Sequence, residues 1–494
     1  MISQHPNYIL AIDQGTSSTK ALVFDEQGKA IARGSEALLT NYFGEGFVEQ
    51  DPEAIYQNVL AAVKNCLADL TAKGLHPQHI AAIGISNQRE TFLVWDANGQ
   101  ALHPAIVWQC KRSAAICAEL THAGHAPVIE QKTGLKVDPY FSATKLIWLQ
   151  RNKPAVAAAI QNGKAFFGTI DTWLLFRLSK GTSYATDYTN ASRTLFFNLH
   201  TLQWDEELIH LFGLKGIQLP TIKPSSDSFG STDIDGLLPQ AIPITAMIGD
   251  SQAAAFGEGC FEPGTAKATM GTGSSILMNI GSTPRLSENG MVTTVCWSMH
   301  NRIDYAYEGV IVSCGATIEW LKNSLGLFSD SKETAAMAMS VEDNGGVYLV
   351  PAFSGLGSPH WQMDRKASIT GMSFSTTKNH IVRAALESIA YQIRDVVNAM
   401  EKDAGIALQE LNTDGGITAN TFVMQFLADL LQKKVATIGM ADVSALGAAL
   451  LAGLKIGVYA DLEALKKMIR REQYFVPERK VEKEYEGWKY AVGG

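Results

Sequence analysis

The length, composition and charge of the chain exclude several classes of protein. At 494 residues it exceeds the size at which one hydrophobic core stops growing, so we expect two domains. A hydrophobic content of 46% with 18% charged residues is typical of a soluble globular protein. The formal net charge of −8 argues against a nucleic-acid partner, because proteins that bind nucleic acid present a basic face.

The cysteines and the apolar stretches bear on the compartment. The six cysteines form no Cys-x-x-Cys pair, and at this low density they are most simply reduced thiols of a cytosolic protein. The N-terminus lacks a basic region followed by a long apolar stretch, so we expect no signal peptide. Apolar stretches such as 445–454 are too short to span a bilayer. We therefore predict a cytoplasmic protein with no membrane partner.

The first predicted element is a β-hairpin over residues 8–24. Two apolar runs flank a turn of glycine and hydroxyl residues, with Asp13 at the end of the first run and Lys20 directly before the second. Gly15 permits backbone angles that let consecutive N–H groups point into one concavity. Together with three hydroxyl groups these residues could grip a polyphosphate and its magnesium; the hydroxyl residues are Thr16, Ser17 and Ser18. An ordinary surface hairpin is the alternative, and this segment alone does not decide between them.

A helix and a buried strand follow. Asp51-Pro52 is typical of a helix start, and apolar residues at helical spacing continue towards Gly74, which closes the helix. Residues 80–85 form an apolar run typical of a buried strand. Strands that alternate with helices of this length indicate an α/β fold whose sheets are covered by helices.

This strand is followed in the chain by two charged and two aromatic residues that could bind a polyol. Arg89 and Glu90 can bracket one, since arginine donates to one hydroxyl and glutamate accepts from the next. A surface ion pair is the commoner alternative for such neighbours. Trp108 and Tyr140 could wall a short carbon chain, although aromatic residues are more often part of the core.

A second strand ends in a carboxylate. The apolar run 242–248 leads into Asp250, which could accept a proton from a substrate hydroxyl as that hydroxyl attacks a phosphoryl group. The alternative is that Asp250 only caps the helix that follows. The segment 241–259 is the best candidate for the joint between domains, and we predict domains over residues 1–254 and 255–494.

The second half of the chain repeats the first turn. Gly271-Thr272-Gly273-Ser274-Ser275 lies between two apolar runs, as the turn after Asp13 does. Two such hairpins predict duplicated halves that face each other across a nucleotide. Further on we predict a helix over residues 378–404 that ends at Gly405, and another helix that contains Asn420.

Several long segments carry a resemblance to a known family. They include DQGTSSTKA from Asp13, SNQRETFLVW from Ser86, TDYTNASRTLFFNLHTLQWD from Thr186 and PAFSGLGSPHW from Pro351. From Tyr8 to Trp488 the chain resembles the FGGY carbohydrate kinases, and within them the members that phosphorylate glycerol. The resemblance implies an α/β fold of two actin- and hexokinase-like (ribonuclease H-like) domains with a nucleotide cleft between them.

The resemblance also implies an activity and a set of site residues. The activity is transfer of the γ-phosphoryl group of ATP, with Mg²⁺, to a terminal hydroxyl of glycerol, giving sn-glycerol 3-phosphate. Asp250 matches the catalytic base, and both Asp13 and Asp250 would reach the Mg²⁺ ion through water. The positions that match glycerol contacts are Arg89, Glu90, Trp108, Tyr140 and Asp250. The positions that match nucleotide contacts are Thr16, Ser17, Ser18, Lys20, Thr272, Gly315, Glu319, Gly416 and Asn420.

Four positions depart from the family pattern. Lys20 stands where arginine is usual, and Glu319 stands where glutamine is usual. Ser251 replaces a glutamine beside the base, and Ser275 replaces a phenylalanine that packs on the glycerol carbons. Both serines remove volume from the substrate pocket, so a longer substrate such as a tetritol, pentitol or ketopentose is the alternative to glycerol.

A second class of function remains open at this point. A protein of the actin or chaperone kind also binds ATP between two lobes and uses it as a conformational switch. Such a protein has no need of the set formed by Arg89, Glu90, Tyr140 and Asp250, and this set favours the kinase. By resemblance alone we also expect a homo-oligomer, either a dimer or a tetramer.

Overall fold

The computed structural model describes residues 7–493 and contains twenty-four strands and sixteen helices in that range. The strands are β1 Tyr8–Gln14, β2 Ser18–Phe24, β3 Ala30–Ala37, β4 Asn41–Phe43, β5 Phe47–Gln50, β6 Ile80–Asn87, β7 Phe92–Trp95, β8 Ala105–Ile106, β9 Phe166–Thr169, β10 Ala185–Asp187, β11 Phe197–Asn198, β12 Gln203–Trp204, β13 Thr221–Lys223, β14 Ser226–Thr232, β15 Ile242–Gly249, β16 Thr265–Met270, β17 Ser274–Gly281, β18 Val292–Met299, β19 Arg302–Ile311, β20 Tyr348–Val350, β21 Ser368–Thr370, β22 Glu410–Asp414, β23 Lys434–Thr437 and β24 Gln473–Phe475. The helices are α1 Pro52–Ala72, α2 Ala114–His122, α3 Ala126–Thr133, α4 Ser142–Asn152, α5 Pro154–Gln161, α6 Ile170–Leu178, α7 Tyr188–Ala191, α8 Glu206–Leu211, α9 Asp250–Gly257, α10 Gly315–Asn323, α11 Thr334–Met339, α12 Lys378–Ala404, α13 Thr421–Leu431, α14 Val443–Lys455, α15 Leu462–Met468 and α16 Glu482–Gly493.

The main sheet repeats one strand order in the two halves of the chain. In the first half the order is β3-β2-β1-β6-β15, and in the second it is β19-β17-β16-β22-β23. In each half the first strand forms an antiparallel hairpin with the second, and a third strand pairs antiparallel with the second. Two parallel strands lie on the other side of the first strand. The predicted duplication is therefore confirmed at the level of topology.

The predicted helices form for the local reasons that their sequences indicate. Asp51 caps α1 by accepting a hydrogen bond from the Glu53 N–H group, and Pro52 takes the first helical position. The helix α12 ends at Gly405, whose φ of 63° is the left-handed conformation that glycine adopts without strain. Both α1 and α12 confirm the predictions from helical spacing and end residues.

The helices α9 and α14 pack against each other between the two halves of the sheet. A β-carbon on Gly447 of α14 would lie 1.9 Å from the Ala253 carbonyl oxygen of α9. Another on Gly84 of β6 would lie 2.3 Å from the Ala448 carbonyl oxygen. Because these glycines carry no side chain, α14 from the second half lies directly on α9 and on the sheet of the first half.

The two halves also meet along one edge of their sheets. β14 and β18 pair in parallel at Ser226 and Met299, which joins all the strands of the main sheet into one continuous layer. A smaller sheet, β4-β5-β8-β7-β9, packs beside the first half. In the part of the chain that the structure describes, no helix is both long enough and apolar enough to cross a membrane.

Candidate active site

Asp13 and Asp250 meet at the carboxyl ends of three adjacent parallel strands. Asp13 near the end of β1 pairs with Ser86 of β6, and Gly249 at the end of β15 pairs with Asn87. Asp250 directly follows Gly249 and begins α9. Ligands of open α/β sheets bind at this edge, so the two carboxylates lie where chemistry is expected.

Asp250 does not act as the cap of α9. Gly249 is the N-cap residue, and no side chain caps this helix end. The Asp250 carboxylate accepts a hydrogen bond of 2.6 Å from the N–H group of its neighbour Ser251 and keeps 41% of its side-chain surface exposed. The alternative in which this aspartate only caps the helix is therefore wrong, and the carboxylate is open to a ligand.

Asp13 has an environment that disfavours its charge. Burial and the nearby charge of Asp250 raise the pKa of Asp13 to about 6, although the Ser86 hydroxyl and the Lys20 ammonium work in the opposite direction. Two carboxylates held at one strand edge would be stabilised by a divalent cation, and carboxylate oxygens are ligands that Mg²⁺ prefers. The donor set therefore fits Mg²⁺.

Arg89 and Glu90 are buried, each with a partner elsewhere. Arg89 Nε lies 3.2 Å from Asp250 Oδ1, and its Nη2 lies 2.7 Å from Glu308 Oε1. Glu90 Oε1 accepts a hydrogen bond of 2.6 Å from Arg193 Nε. The same arginine also pairs with Glu308, since its Nη1 lies 2.7 Å from Glu308 Oε2. The alternative of a surface ion pair between Arg89 and Glu90 is wrong.

Glu308 is the hub of this charged cluster. Burial works against its ionisation, but Arg193 and Arg89 hold the pKa of Glu308 well below its usual range. Sequence reasoning missed Glu308 and Arg193, and it also missed Lys267. The available signal was that Lys267 is the one charged residue of β16 and that Glu308 lies in the inner part of β19, which predicts a buried partner for each but not its identity.

Trp108 and Tyr140 stand beside this cluster as a half-exposed aromatic wall. Their ring centroids are 5.5 Å apart in an edge-to-face arrangement. Trp108 Nε1 donates a hydrogen bond of 3.0 Å to Thr16 Oγ1, and Thr16 in turn donates to Gln88 Oε1 at 3.2 Å. The Thr16 side chain thus orients Trp108, and the turn that contains Thr16 lies next to the aromatic wall.

The first turn reaches across to the second half of the chain. The Gly15 N–H group donates to the Ser18 carbonyl oxygen at 3.0 Å, which closes the turn around Thr16 and the exposed Ser17. Lys20 Nζ donates to Asp442 Oδ1 at 2.9 Å, next to the start of α14. Burial opposes the Lys20 charge, but this bond raises the pKa of Lys20.

The second turn lies against the first residue of α10. The Gly271 N–H group donates to the Gly273 carbonyl oxygen, and the Gly315 N–H group donates to the Gly271 carbonyl oxygen, each at 2.9 Å. Gly315 must lack a side chain, because a β-carbon there would lie 2.7 Å from the Gly271 oxygen. The N–H groups of Gly315 and Ala316 already donate to this turn, so what it offers to a phosphate is the Thr272 hydroxyl and the positive end of the α10 dipole.

The remaining predicted nucleotide residues lie around α10 and α13. Gly416 faces open space, since a β-carbon there would meet nothing within 4 Å. Glu319, one turn into α10, accepts a hydrogen bond of 3.1 Å from Asn323. Asn420 corrects a prediction: it caps α13 instead of lying inside it, and its Oδ1 accepts from the Val423 N–H group at 3.2 Å. Asparagine side chains compete for backbone partners, which favours the cap position.

Ser251 and Ser275 are direct neighbours. Their Oγ atoms are 3.0 Å apart, although one is the second residue of α9 and the other is the second residue of β17. Lys267 Nζ donates to Ser251 Oγ at 2.8 Å, and Ser275 Oγ donates to Glu308 Oε1 at 3.1 Å. The two serines therefore connect Lys267 with the charged cluster around Arg89.

Comparison with known proteins assigns both halves of the chain to one family. Models of the FGGY family of carbohydrate kinases match residues 8–257 with the N-terminal domain and residues 266–456 with the C-terminal domain. A glycerol kinase of Symbiobacterium thermophilum is 46% identical over 489 residues, covering 98% of this chain and 97% of that protein. A glycerol kinase of Carboxydothermus hydrogenoformans is 46% identical over 490 residues, covering 98% of this chain and 97% of that protein.

Solved structures share the fold. A glycerol kinase of Plasmodium falciparum with ADP superposes with a TM-score of 0.93 at 37% identity, covering 99% of this chain and 98% of that chain. A xylulose kinase of Lactobacillus acidophilus has a TM-score of 0.87 at 23% identity, covering 99% of this chain and 96% of that chain, which indicates the fold alone.

Proposed function

Because the chain belongs to the FGGY family of carbohydrate kinases, we propose that it transfers the γ-phosphoryl group of ATP to a terminal hydroxyl of glycerol. The product is sn-glycerol 3-phosphate. The observation that carries the proposal is the meeting of Asp250, Arg89 and Glu308 beside the two turns. The glycerol kinases at 46% identity over almost the whole chain support glycerol as the acceptor.

Asp250 is the base in this proposal. Its half-exposed carboxylate can accept the proton of the substrate hydroxyl while that oxygen attacks the phosphoryl group in line. Arg89 Nε, at 3.2 Å, fixes the position of the carboxylate. Arg89 is itself held by Glu308 and Gln252, so the base rests on a buried support.

Glycerol would lie between the charged cluster and the aromatic wall. Glu90 can accept from one hydroxyl, since Arg193 neutralises its charge without occupying both oxygens. Burial and the charge of Glu90 hold the pKa of Tyr140 well above its usual range, so its hydroxyl stays a donor. The half-exposed faces of Trp108 and Tyr140 would cover the carbon atoms.

The nucleotide would lie between the two turns. The Thr272 hydroxyl and the dipole of α10, which begins at Gly315, would bind phosphate oxygens, and Lys20 of the first hairpin would supply a cation. Gly416 leaves open space beside this path. Mg²⁺ bound near Asp13 and Asp250 would neutralise charge on the phosphates.

The compartment, the assembly and the domain boundary of the protein are part of the same proposal. All six cysteines are buried free thiols, which suits the reducing conditions of a cytoplasmic protein. The homo-oligomer stays a prediction. The division into domains at residues 1–254 and 255–494 also stays a prediction.

The test measures ADP release by the full-length protein with Mg-ATP and glycerol. We expect turnover that depends on glycerol, and an Asp250→Asn variant whose kcat falls about 10³-fold with little change in KM for ATP, as expected for loss of a general base. Asp227→Asn is the matched control, because Asp227 pairs with Lys455 on the surface. ATP hydrolysis that needs no polyol and survives Asp250→Asn would instead support a nucleotide switch.

A further inference from the structure

We propose that Ser251 and Ser275 form a subsite for one additional substrate hydroxyl, and that the enzyme also phosphorylates tetritols. The inference rests on the proposed function, since it concerns the acceptor of the same phosphoryl transfer. It starts from a chain of hydrogen bonds that runs from Lys267 through both serines to Glu308.

The direction of every hydrogen bond in this chain is fixed by its two ends. A lysine ammonium group can only donate, so Ser251 Oγ accepts from Lys267 Nζ at 2.8 Å. An ionised carboxylate can only accept, so Ser275 Oγ donates to Glu308 Oε1 at 3.1 Å. Glu308 is ionised because Arg89 and Arg193 both pair with it.

It follows that Ser251 donates its only proton to Ser275. Ser275 has already given its proton to Glu308, so across the 3.0 Å between the two Oγ atoms it can only accept. Each serine oxygen has then used its proton and one lone pair, and each keeps one free lone pair. The pair therefore offers acceptors and no donors to a ligand.

The subsite lies within reach of the proposed substrate. Ser251 is the neighbour of Asp250 on α9, and Ser275 shares Glu308 with Arg89, which contacts Asp250. Ser251 is buried and Ser275 is half-buried, so a ligand would approach the pair from the side of Ser275. A polyol placed against Asp250 can therefore bring a further hydroxyl to the serine pair.

An acceptor-only subsite selects for a hydroxyl on the fourth carbon of the substrate. A fourth hydroxyl can donate to the free lone pairs, whereas a methyl group at the same position cannot donate a hydrogen bond. We therefore assign the additional substrate class as acyclic tetritols, such as erythritol or threitol, and we expect discrimination against butane-1,2,3-triol, which has the same carbon chain but lacks the fourth hydroxyl.

The experiment compares kcat/KM for glycerol, erythritol, threitol and butane-1,2,3-triol in wild-type enzyme and in serine variants. We expect measurable turnover of at least one tetritol, and kcat/KM for butane-1,2,3-triol at least tenfold lower than for that tetritol. Ser275→Ala should lower the tetritol-to-glycerol ratio about tenfold, because the alanine removes one acceptor and leaves Ser251 without its partner. Ser275→Phe should lower it further by filling the space.

Controls separate this inference from the proposed function and from a structural effect. Ser340 is exposed and lies more than sixty residues from either serine in the sequence. The variant Ser340→Ala should therefore leave the tetritol-to-glycerol ratio of kcat/KM unchanged. Thermal midpoints of the serine variants show whether each one folds, and Ser251→Ala provides a second variant if Ser275→Ala does not. Turnover of glycerol without any tetritol, or an unchanged tetritol-to-glycerol ratio in folded variants, overturns the inference alone. Absence of glycerol turnover in wild-type enzyme overturns the proposed function instead.

Discussion

Asp13 is a side chain whose requirements for function and for stability oppose each other. A Mg²⁺ site needs its ionised carboxylate, but burial and the charge of Asp250 disfavour that form. The pKa of Asp13 is about 6 in the folded protein, compared with an ordinary value of 3.8. Above pH 6 the ionised carboxylate therefore lowers the stability of the folded state, and this cost disappears as the pH falls towards 4.

The substitution Asp13→Asn should therefore stabilise the protein while inactivating it. At pH 7.5, without Mg-ATP, we expect the thermal midpoint to rise by a few degrees, because the disfavoured charge is gone. The difference from wild type should close between pH 6 and pH 4, where Asp13 becomes protonated. Thermal unfolding measured across this pH range, together with an activity assay, tests both effects.

Asp227→Asn is the control for this prediction. Burial opposes the charge of Asp227, but its bond to Lys455 lowers the pKa, so the ionised form stabilises the folded state. Loss of the Asp227 charge should therefore lower the thermal midpoint slightly at pH 7.5, whereas Asp13→Asn should raise it. A thermal midpoint of Asp13→Asn at or below that of wild type at pH 7.5 would contradict our account of Asp13.

At the scale of elements, the first hairpin is tied to α14 by one ion pair. Lys20 of β2 donates to Asp442 at 2.9 Å, and 40% of its side chain is exposed. Arg33 of the neighbouring strand β3 reaches the same carboxylate at 3.6 Å, with 64% of its side chain exposed. Pairs this exposed contribute little to stability, so the role of Lys20 is expected in nucleotide binding.

Lys20→Ala should raise KM for ATP about tenfold, because it removes a cation from the phosphate path while other donors remain. The thermal midpoint should change by less than about 2 °C, as expected for an exposed pair. Steady-state kinetics with varied ATP and saturating glycerol provides the measurement. Arg33→Ala is the matched control, and an equal rise in KM in that variant would assign the effect to Asp442 instead.

At the scale of the whole molecule, the two halves are held together by backbone-to-backbone packing. Gly447 of α14 brings its backbone against Ala253 of α9, and Gly84 does the same against Ala448. Because α9 begins with Asp250, the helix that carries the proposed base is the one on which α14 rests. The relative position of the halves and the position of the proposed base are therefore linked.

Gly447→Ala should disturb this packing severely. The new methyl group would lie 1.9 Å from a carbonyl oxygen of α9, and backbone cannot move aside as a flexible side chain can. We expect a loss of about 3 kcal/mol and a fall of several degrees in the thermal midpoint, measured without ligands. Gly416→Ala is the control, since its methyl group would meet nothing within 4 Å. Equal thermal midpoints for the two variants would contradict the proposed packing.

The sequence by itself determined the elements and the repeated unit. Apolar runs, caps and glycine stops depend on neighbours along the chain, so α1, α12 and both hairpins could be predicted from local patterns. The strand ends also placed Asp13 and Asp250 where ligands bind.

Only the tertiary structure decided which charges pair. Arg89 and Glu90 are adjacent in sequence, yet their partners are Glu308 and Arg193, more than one hundred residues away along the chain. The chain from Lys267 to Glu308 likewise joins α9, β16, β17 and β19. Buried polar groups must find partners in three dimensions, and a local pattern carries no information about a partner that folding brings from a distant strand.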